Sequence, residues 1–189
     1  MRRILILSGA ALALAVAGCE PPETSKGAAS KGEGAPAAAP VFTSEIEQDQ
    51  SGYYLPTTEA AGGGWVFHHL FMGQAADFAA WEAGQRSETF APIMIEFEDR
   101  DSPMVQTELG ESRSGRARVL PTSYAVSGDR VRFEGRSERL GVVRFEGRLD
   151  AGALAESRRN LGAEGAVLTG TLTVDGRARP VSLRWWAGD

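Results

Sequence analysis

The segment VRFEGR constrains the fold most strongly, because it occurs at residues 131–136 and again at residues 143–148. In both copies valine, phenylalanine and glycine alternate with charged residues, which is the pattern of a β-strand with one buried face. The intervening SERLGV is too short for a crossover connection, so the strands must be antiparallel neighbours. The repeat therefore predicts a β-hairpin. A twofold ligand site is the weaker alternative, since repeated short strands are the ordinary way to build a sheet.

Two registers of this hairpin would bury the same face. Pairing Phe133 with Phe145 sets Arg132 opposite Glu146, an unlike-charge pair. Sliding the strands by two residues sets like charges opposite each other, which costs some tenths of a kcal/mol per pair. That second register would place Gly141 in the left-handed position of a three-residue loop. We expect the first register.

A second hairpin turns at Asp175 and Gly176, a dipeptide suited to the positive φ angles of a two-residue turn. Trp185 and Trp186 follow on its second strand. Because adjacent strand residues point to opposite faces, only one tryptophan can enter the core. The other must cover an edge, the tether, a ligand or a lipid interface.

The rest of the chain predicts more strands and little helix. Strands are expected near residues 41–47, 65–71, 92–98, 104–109 and 116–126, with a bend or edge at Pro121, and short helices at 73–85 and 150–162. The predicted fold is mainly β: a single antiparallel curled sheet, barrel or sandwich with two short helices.

The amino terminus reads as an export segment. Residues 1–18 begin with two arginines and continue through an apolar run too short for a permanent membrane helix. Residues 16–19, VAGC, resemble the lipobox of bacterial lipoproteins. In that family diacylglycerol is attached to the cysteine sulfur, the signal is cut off just before it, and the new amino terminus is acylated.

The lipobox resemblance implies that Cys19 is lipidated. Cys19 is the only cysteine in the chain, so lipidation accounts for its thiol and no disulfide can form. An ordinary secretory signal is the alternative. The expected location is the bacterial cell envelope, with acyl chains on Cys19 holding the protein to the inner or outer membrane and the domain outside the cytoplasm, on the periplasmic side.

A disordered tether and one domain follow the anchor. Residues 19–40 begin with Cys19, and the Pro/Ala/Gly-rich stretch after it contains no aromatic or large aliphatic residue, so it cannot fold and spans roughly 25 Å. Residues 41–189 have the length of a single domain. This β-rich domain would therefore sit near the membrane surface without entering it.

Charge is divided along the domain. Residues 41–112 hold thirteen acidic residues and two arginines, whereas residues 113–189 hold fourteen arginines and nine acidic residues. The arginines could form a surface for phosphate or carboxylate groups. A lipid or an anionic envelope ligand is the candidate partner. Alternatively, the two halves complement each other when folded. Nucleic acid is not expected as a partner, given the net charge of −5 and the export segment.

Candidate reactive residues are few. His68 and His69 should face opposite sides of a strand, one buried and one exposed, so no metal site is expected. Glu96, Glu98 and the two aspartates that follow them, Asp99 and Asp101, could form a calcium site or a glycosidase pair, or simply a solvated turn. Since the sequence has neither a Gly-x-Ser-x-Gly nor a Ser-x-x-Lys motif, we expect no catalytic residue, no cofactor and no enzymatic activity.

The last hairpin carries a second resemblance. Residues 168–183, LTGTLTVDGRARPVSL, are similar to a segment of the YceI-like family. The resemblance implies a periplasmic antiparallel barrel of lipocalin type that holds a polyisoprenoid chain in an apolar lumen. The expected function is a membrane-anchored, non-enzymatic binding or structural module. Alternatives are a lipid- or isoprenoid-carrying barrel and an envelope polysaccharide hydrolase that uses carboxylates at 96–101.

Overall fold

The computed structural model describes residues 41–59, 61–62, 64–107 and 110–188, which belong to one compact unit. The predicted signal peptide, Cys19 and tether lie outside these residues. The strands and helices of the described residues, in chain order, are β1 (Phe42–Ser44), β2 (Gly52–Pro56), β3 (Ala61–Gly62), β4 (Trp65–Met72), α1 (Ala75–Glu82), β5 (Ile93–Asp99), β6 (Met104–Thr107), β7 (Gly110–Arg113), β8 (Arg116–Val119), β9 (Pro121–Val126), β10 (Arg130–Ser137), β11 (Gly141–Leu149), α2 (Ala151–Arg159), β12 (Leu168–Val174) and β13 (Arg177–Trp186).

The sheet confirms the predicted fold class. Its strands follow the order β1-β9-β10-β11-β12-β13-β2-β4-β5-β8, with β3 paired to β4, and curl into a half-barrel. Neighbouring strands are antiparallel except β1 and β9, which are parallel. Strands β6 and β7 form a separate hairpin.

The repeated segment forms the hairpin of β10 and β11, in the predicted register. Phe133 pairs with Phe145, and Arg132 pairs with Glu146. Both phenylalanines are buried, while the charged side chains lie on the outer face. The repeat therefore forms part of the wall of the half-barrel.

The second hairpin is also confirmed. Asp175 and Gly176 have φ angles of 47° and 77°, as a two-residue turn requires. Trp185 is buried in the core, whereas Trp186 is 38% exposed on the opposite face.

One bent segment brings the two ends of the sheet together. β8 pairs with β5 at one end of the strand order, and β9, which follows after Leu120 alone, pairs with β10 near the other end. At the bend, a Cβ added to Gly135 would lie 2.5 Å from the Leu120 carbonyl oxygen. Pro121 thus marks the bend that its position predicts.

The core fills the concave side of this sheet. Its largest fully buried side chains include Tyr54, Phe67, Phe145 and Leu168. Burial of such residues is the main stabilising contribution to the fold, at about 1.5–3 kcal/mol for each large apolar side chain. The inward side chains pack against one another in a single cluster.

Both predicted helices form. In α1, Phe78 and Trp81 are buried, and the helix ends just before Gly84, whose φ is 93°. In α2, the Asp150 side chain accepts a hydrogen bond from the Ala153 amide over 2.9 Å, which confirms it as the amino-terminal cap. Among the described residues, no helix has the length and hydropathy needed to cross a membrane.

Candidate functional site

The outer face of β2, β4, β5 and β8 carries a cavity of about 1310 Å³. Strand alternation creates it, because residues next to the inward ones, such as Tyr53 beside Tyr54, point away from the core. The β6–β7 hairpin, with Met104 and Val105, forms a further part of its lining. We call this cavity the outer groove.

Aromatic side chains line one part of the outer groove. Tyr53 lies 5.2 Å from Phe71 and 5.5 Å from Trp186 between ring centroids, and Phe90 lies 5.6 Å from Phe71. Phe90 and Trp186 are 42% and 38% exposed. Exposed aromatic surface gathered in one concavity is typical of a binding site. The exposed tryptophan of the Trp185–Trp186 pair thus lines this groove.

A β-bulge places both histidines in the groove. The pairing of β4 with β5 shifts between Phe67 and His69, so that His68 and His69 together lie opposite Glu96. Their Nδ1 atoms are 2.6 Å apart, within hydrogen-bonding distance. The expectation that they face opposite sides, one buried and one exposed, is wrong: both are partly buried on the outer face.

The pKa of His69 is lowered to about 4. Burial is the main cause, and the nearby charges of His68, Arg118 and Arg116 lower the pKa further, against the opposing effect of Glu96. His69 is therefore neutral at neutral pH, with a lone pair available on one ring nitrogen.

Two arginines hold the carboxylates of β5. Arg116 donates to Glu96 Oε1 over 3.1 Å and lies 3.3 Å from Glu98 Oε1. Arg118 donates to Glu96 Oε2 through Nε and Nη2, over 3.3 and 3.2 Å. These pairs join the acidic and the arginine-rich half of the chain, as the complementary-charge alternative predicts.

The four carboxylates of residues 96–101 lie in two separate places. Glu96 and Glu98 share the groove face, and the Glu96 side chain is 4% exposed. Asp99 instead accepts the Asp101 amide over 3.0 Å in the turn after β5. The four carboxylates therefore do not converge on one calcium ion, and a substrate could reach Glu96 only by displacing its arginines.

One group of side chains among the described residues has the composition of a transition-metal site. His68, His69 and Glu96 each offer a ligand atom within 4.8 Å of the others. His68 Nε2 lies 3.6 Å from Glu98 Oε1 on its far side.

Sequence reasoning missed β2, β3, β7 and the bulge. β2 reads GYYLP, which lacks polar alternation because Tyr54 faces the core and Tyr53 faces the groove. The bulge did leave a trace in the sequence. In a regular strand the inward residues are two positions apart, so their numbers are all odd or all even. In β4 the inward residues Phe67 and Leu70 are three positions apart, which indicates one extra residue.

Comparisons of the chain with protein-family models, with curated proteins and with solved structures found no match. The resemblances of residues 16–19 to a lipobox and of residues 168–183 to the YceI-like family stay predictions.

Proposed function

We propose that this protein is a lipid-anchored, non-enzymatic binding module of the bacterial cell envelope, and that it binds its ligand in the outer groove. The observation that carries the proposal is the exposure of Phe90 and Trp186, together with Met104 and Val105, in one cavity beside charged residues. Solvent-exposed apolar groups concentrated in one concavity favour burial against a ligand.

The groove favours an amphipathic ligand. Its aromatic part, around Tyr53 and Trp186, suits an apolar surface, whereas Arg113, which also lines the groove, suits a carboxylate or phosphate group. A lipid or another anionic envelope component combines both features. Acyl chains on Cys19 would keep the groove within reach of such components.

Photo-crosslinking in intact cells tests the groove. A photoreactive phenylalanine analogue at Trp186 is expected to yield a discrete crosslinked species, whereas the same analogue at the exposed Arg136, on β10, is expected to yield none. Substitution of Tyr53 with alanine should abolish the crosslink because it removes the ring between Phe71 and Trp186. Identical products from both probe positions would contradict the proposal.

A lipid carried inside the barrel is the second candidate. The curled sheet favours it, and a cavity of about 270 Å³ lined in part by Phe97 and Leu172 reaches core residues. The interior side chains of Tyr54, Phe67 and Phe145 are at most 1% exposed, however, so a chain-like ligand would have to displace them. Native mass spectrometry of the protein extracted from membranes separates the candidates: a ligand retained after Tyr53→Ala and Trp186→Ala favours the interior.

A further inference from the structure

We propose that His68, His69 and Glu96 form a binding site for a divalent transition-metal ion at the wall of the outer groove. The proposal rests on the outer groove of the proposed function, but its test uses metal alone and requires no other ligand.

The bulge supplies two nitrogen ligands from consecutive residues. A tetrahedral ion with bonds of about 2.0–2.1 Å holds its ligand atoms roughly 3.4 Å apart. That separation lies between the 2.6 Å that divides the two Nδ1 atoms and the 4.8 Å span of the whole group. Small side-chain rotations would therefore bring the three ligand atoms around one ion.

Glu98 supplies the outer support that a metal-ligating histidine needs. If His68 binds through Nδ1, its Nε2–H points toward Glu98 Oε1, now 3.6 Å away. A carboxylate behind a ligating histidine fixes the ring and raises its basicity, which is the usual arrangement around metal ions.

Glu96 can ligate while its arginines stay in place. A carboxylate offers about four lone-pair positions. Arg118 uses two on Oε2 and Arg116 uses one on Oε1. The remaining position on Oε1 is available to an ion, and the arginines would hold the carboxylate in a fixed orientation.

The ligand set indicates the class of metal. Two imidazole nitrogens and one carboxylate oxygen suit Zn²⁺, Co²⁺ and related ions, whereas Ca²⁺ and Mg²⁺ prefer oxygen ligands alone. Arg116 and Arg118 already balance Glu96 and Glu98, so the charge of the ion is not neutralised by side chains. We expect the ion to keep an open position toward the groove that takes water or an anionic group of a ligand.

The test is calorimetric titration of the metal-stripped, detergent-solubilised full-length protein with Zn²⁺, followed by Co²⁺ absorption spectroscopy. One equivalent of Zn²⁺ should bind. His68→Ala and His69→Ala should each weaken binding by at least about 100-fold, and Glu98→Gln by roughly 10-fold. Glu134→Gln, which alters an exposed carboxylate on β10, is the matched control and should bind like the parent protein.

Two outcomes would overturn the metal site: no saturable binding by the parent protein, or parent-like affinity in both histidine variants. Because His68 is 38% exposed, its variant should keep the fold, and circular dichroism checks this. If Zn²⁺ binds as expected while groove crosslinks are absent, the metal site stands and the proposed function fails.

Discussion

Phe133 and Phe145 lie directly opposite each other across the β10–β11 ladder, and both are buried. Their rings occupy the concave side of the sheet, where the two halves of the repeat meet. Phe145→Ala is expected to lower the free energy of unfolding by about 3–5 kcal/mol, because it leaves a cavity in the core. Urea denaturation measures this change.

The exposed neighbour provides the control for the Phe145 prediction. Arg144 is 53% exposed and pairs with Glu134 over 2.7 Å. Arg144→Ala should cost less than about 1 kcal/mol, as exposed ion pairs do. Equal destabilisation by the two substitutions would contradict the inward orientation of Phe145.

A glycine pair allows β11 and β12 to approach closely. Gly170 pairs with Gly147, and a Cβ on Gly170 would lie 2.2 Å from the Glu146 carbonyl oxygen. Gly170→Ala should therefore destabilise the protein by about 1–3 kcal/mol, measured by urea denaturation. A Cβ added to Gly165 would have no atom within 4 Å, so Gly165→Ala should change the free energy of unfolding by less than about 0.5 kcal/mol. Parent-like stability of the Gly170 variant would show that the strands are farther apart.

An ion pair ties α2 to the segment before β2. Arg158 donates to Asp49 Oδ2 over 2.7 Å and to the Ser51 carbonyl oxygen over 2.8 Å. Burial raises the pKa of Asp49, but hydrogen bonds from Ser51 and Arg158 outweigh that effect and hold the pKa below its usual value. The ionised carboxylate therefore stabilises the fold above pH about 4, and this contribution is lost as the pH falls through the lowered pKa.

Asp49→Asn should accordingly lower the urea midpoint at pH 7. The difference between variant and parent should shrink toward zero as the pH falls through the lowered pKa of Asp49, because both side chains are then neutral. A midpoint difference that stays constant with pH would show that the carboxylate charge does not contribute.

Lipidation makes a separate prediction about Cys19. If Cys19 is lipidated as proposed, cells fed a labelled fatty acid should incorporate label into the parent protein and not into Cys19→Ser, which lacks the sulfur to which diacylglycerol would be attached. Gly18→Ala keeps a small residue before the cysteine and should remain labelled. Label that persists in Cys19→Ser would show that Cys19 does not carry the anchor.

Local sequence patterns were sufficient for two hairpins, β10–β11 and β12–β13, and for the helices. The alternation in residues 131–148 and the Asp175–Gly176 turn each specify pairing between strands close in sequence. The strand at residues 116–126 and its bend at Pro121 could also be predicted, because proline is excluded from the interior of a regular ladder.

The groove depends on pairing that local patterns do not contain. Arg116 and Arg118 reach Glu96 because β8 pairs with β5 across the intervening β6–β7 hairpin. The histidine pair depends on an extra residue in β4, which reverses the facing of every side chain beyond it. Regular strand alternation therefore placed His68 and His69 on opposite faces of the sheet. The inward residues Phe67 and Leu70 have an odd and an even number, and this difference indicates the bulge.

The proposed function requires that a ligand occupies the outer groove in intact cells, and thiol labelling measures this occupancy. Phe90→Cys and Leu161→Cys each add one thiol, in and away from the groove, at positions 42% and 72% exposed in the parent. Both variants also carry Cys19→Ser, so that the added thiol is the only one. N-ethylmaleimide labelling rates are compared between intact cells and the purified protein. We predict that the thiol at position 90 reacts several-fold more slowly in cells while that at position 161 is unchanged. If the ratio of the labelling rate in cells to the rate in the purified protein is the same at both positions, no ligand occupies the groove and the proposed function is wrong.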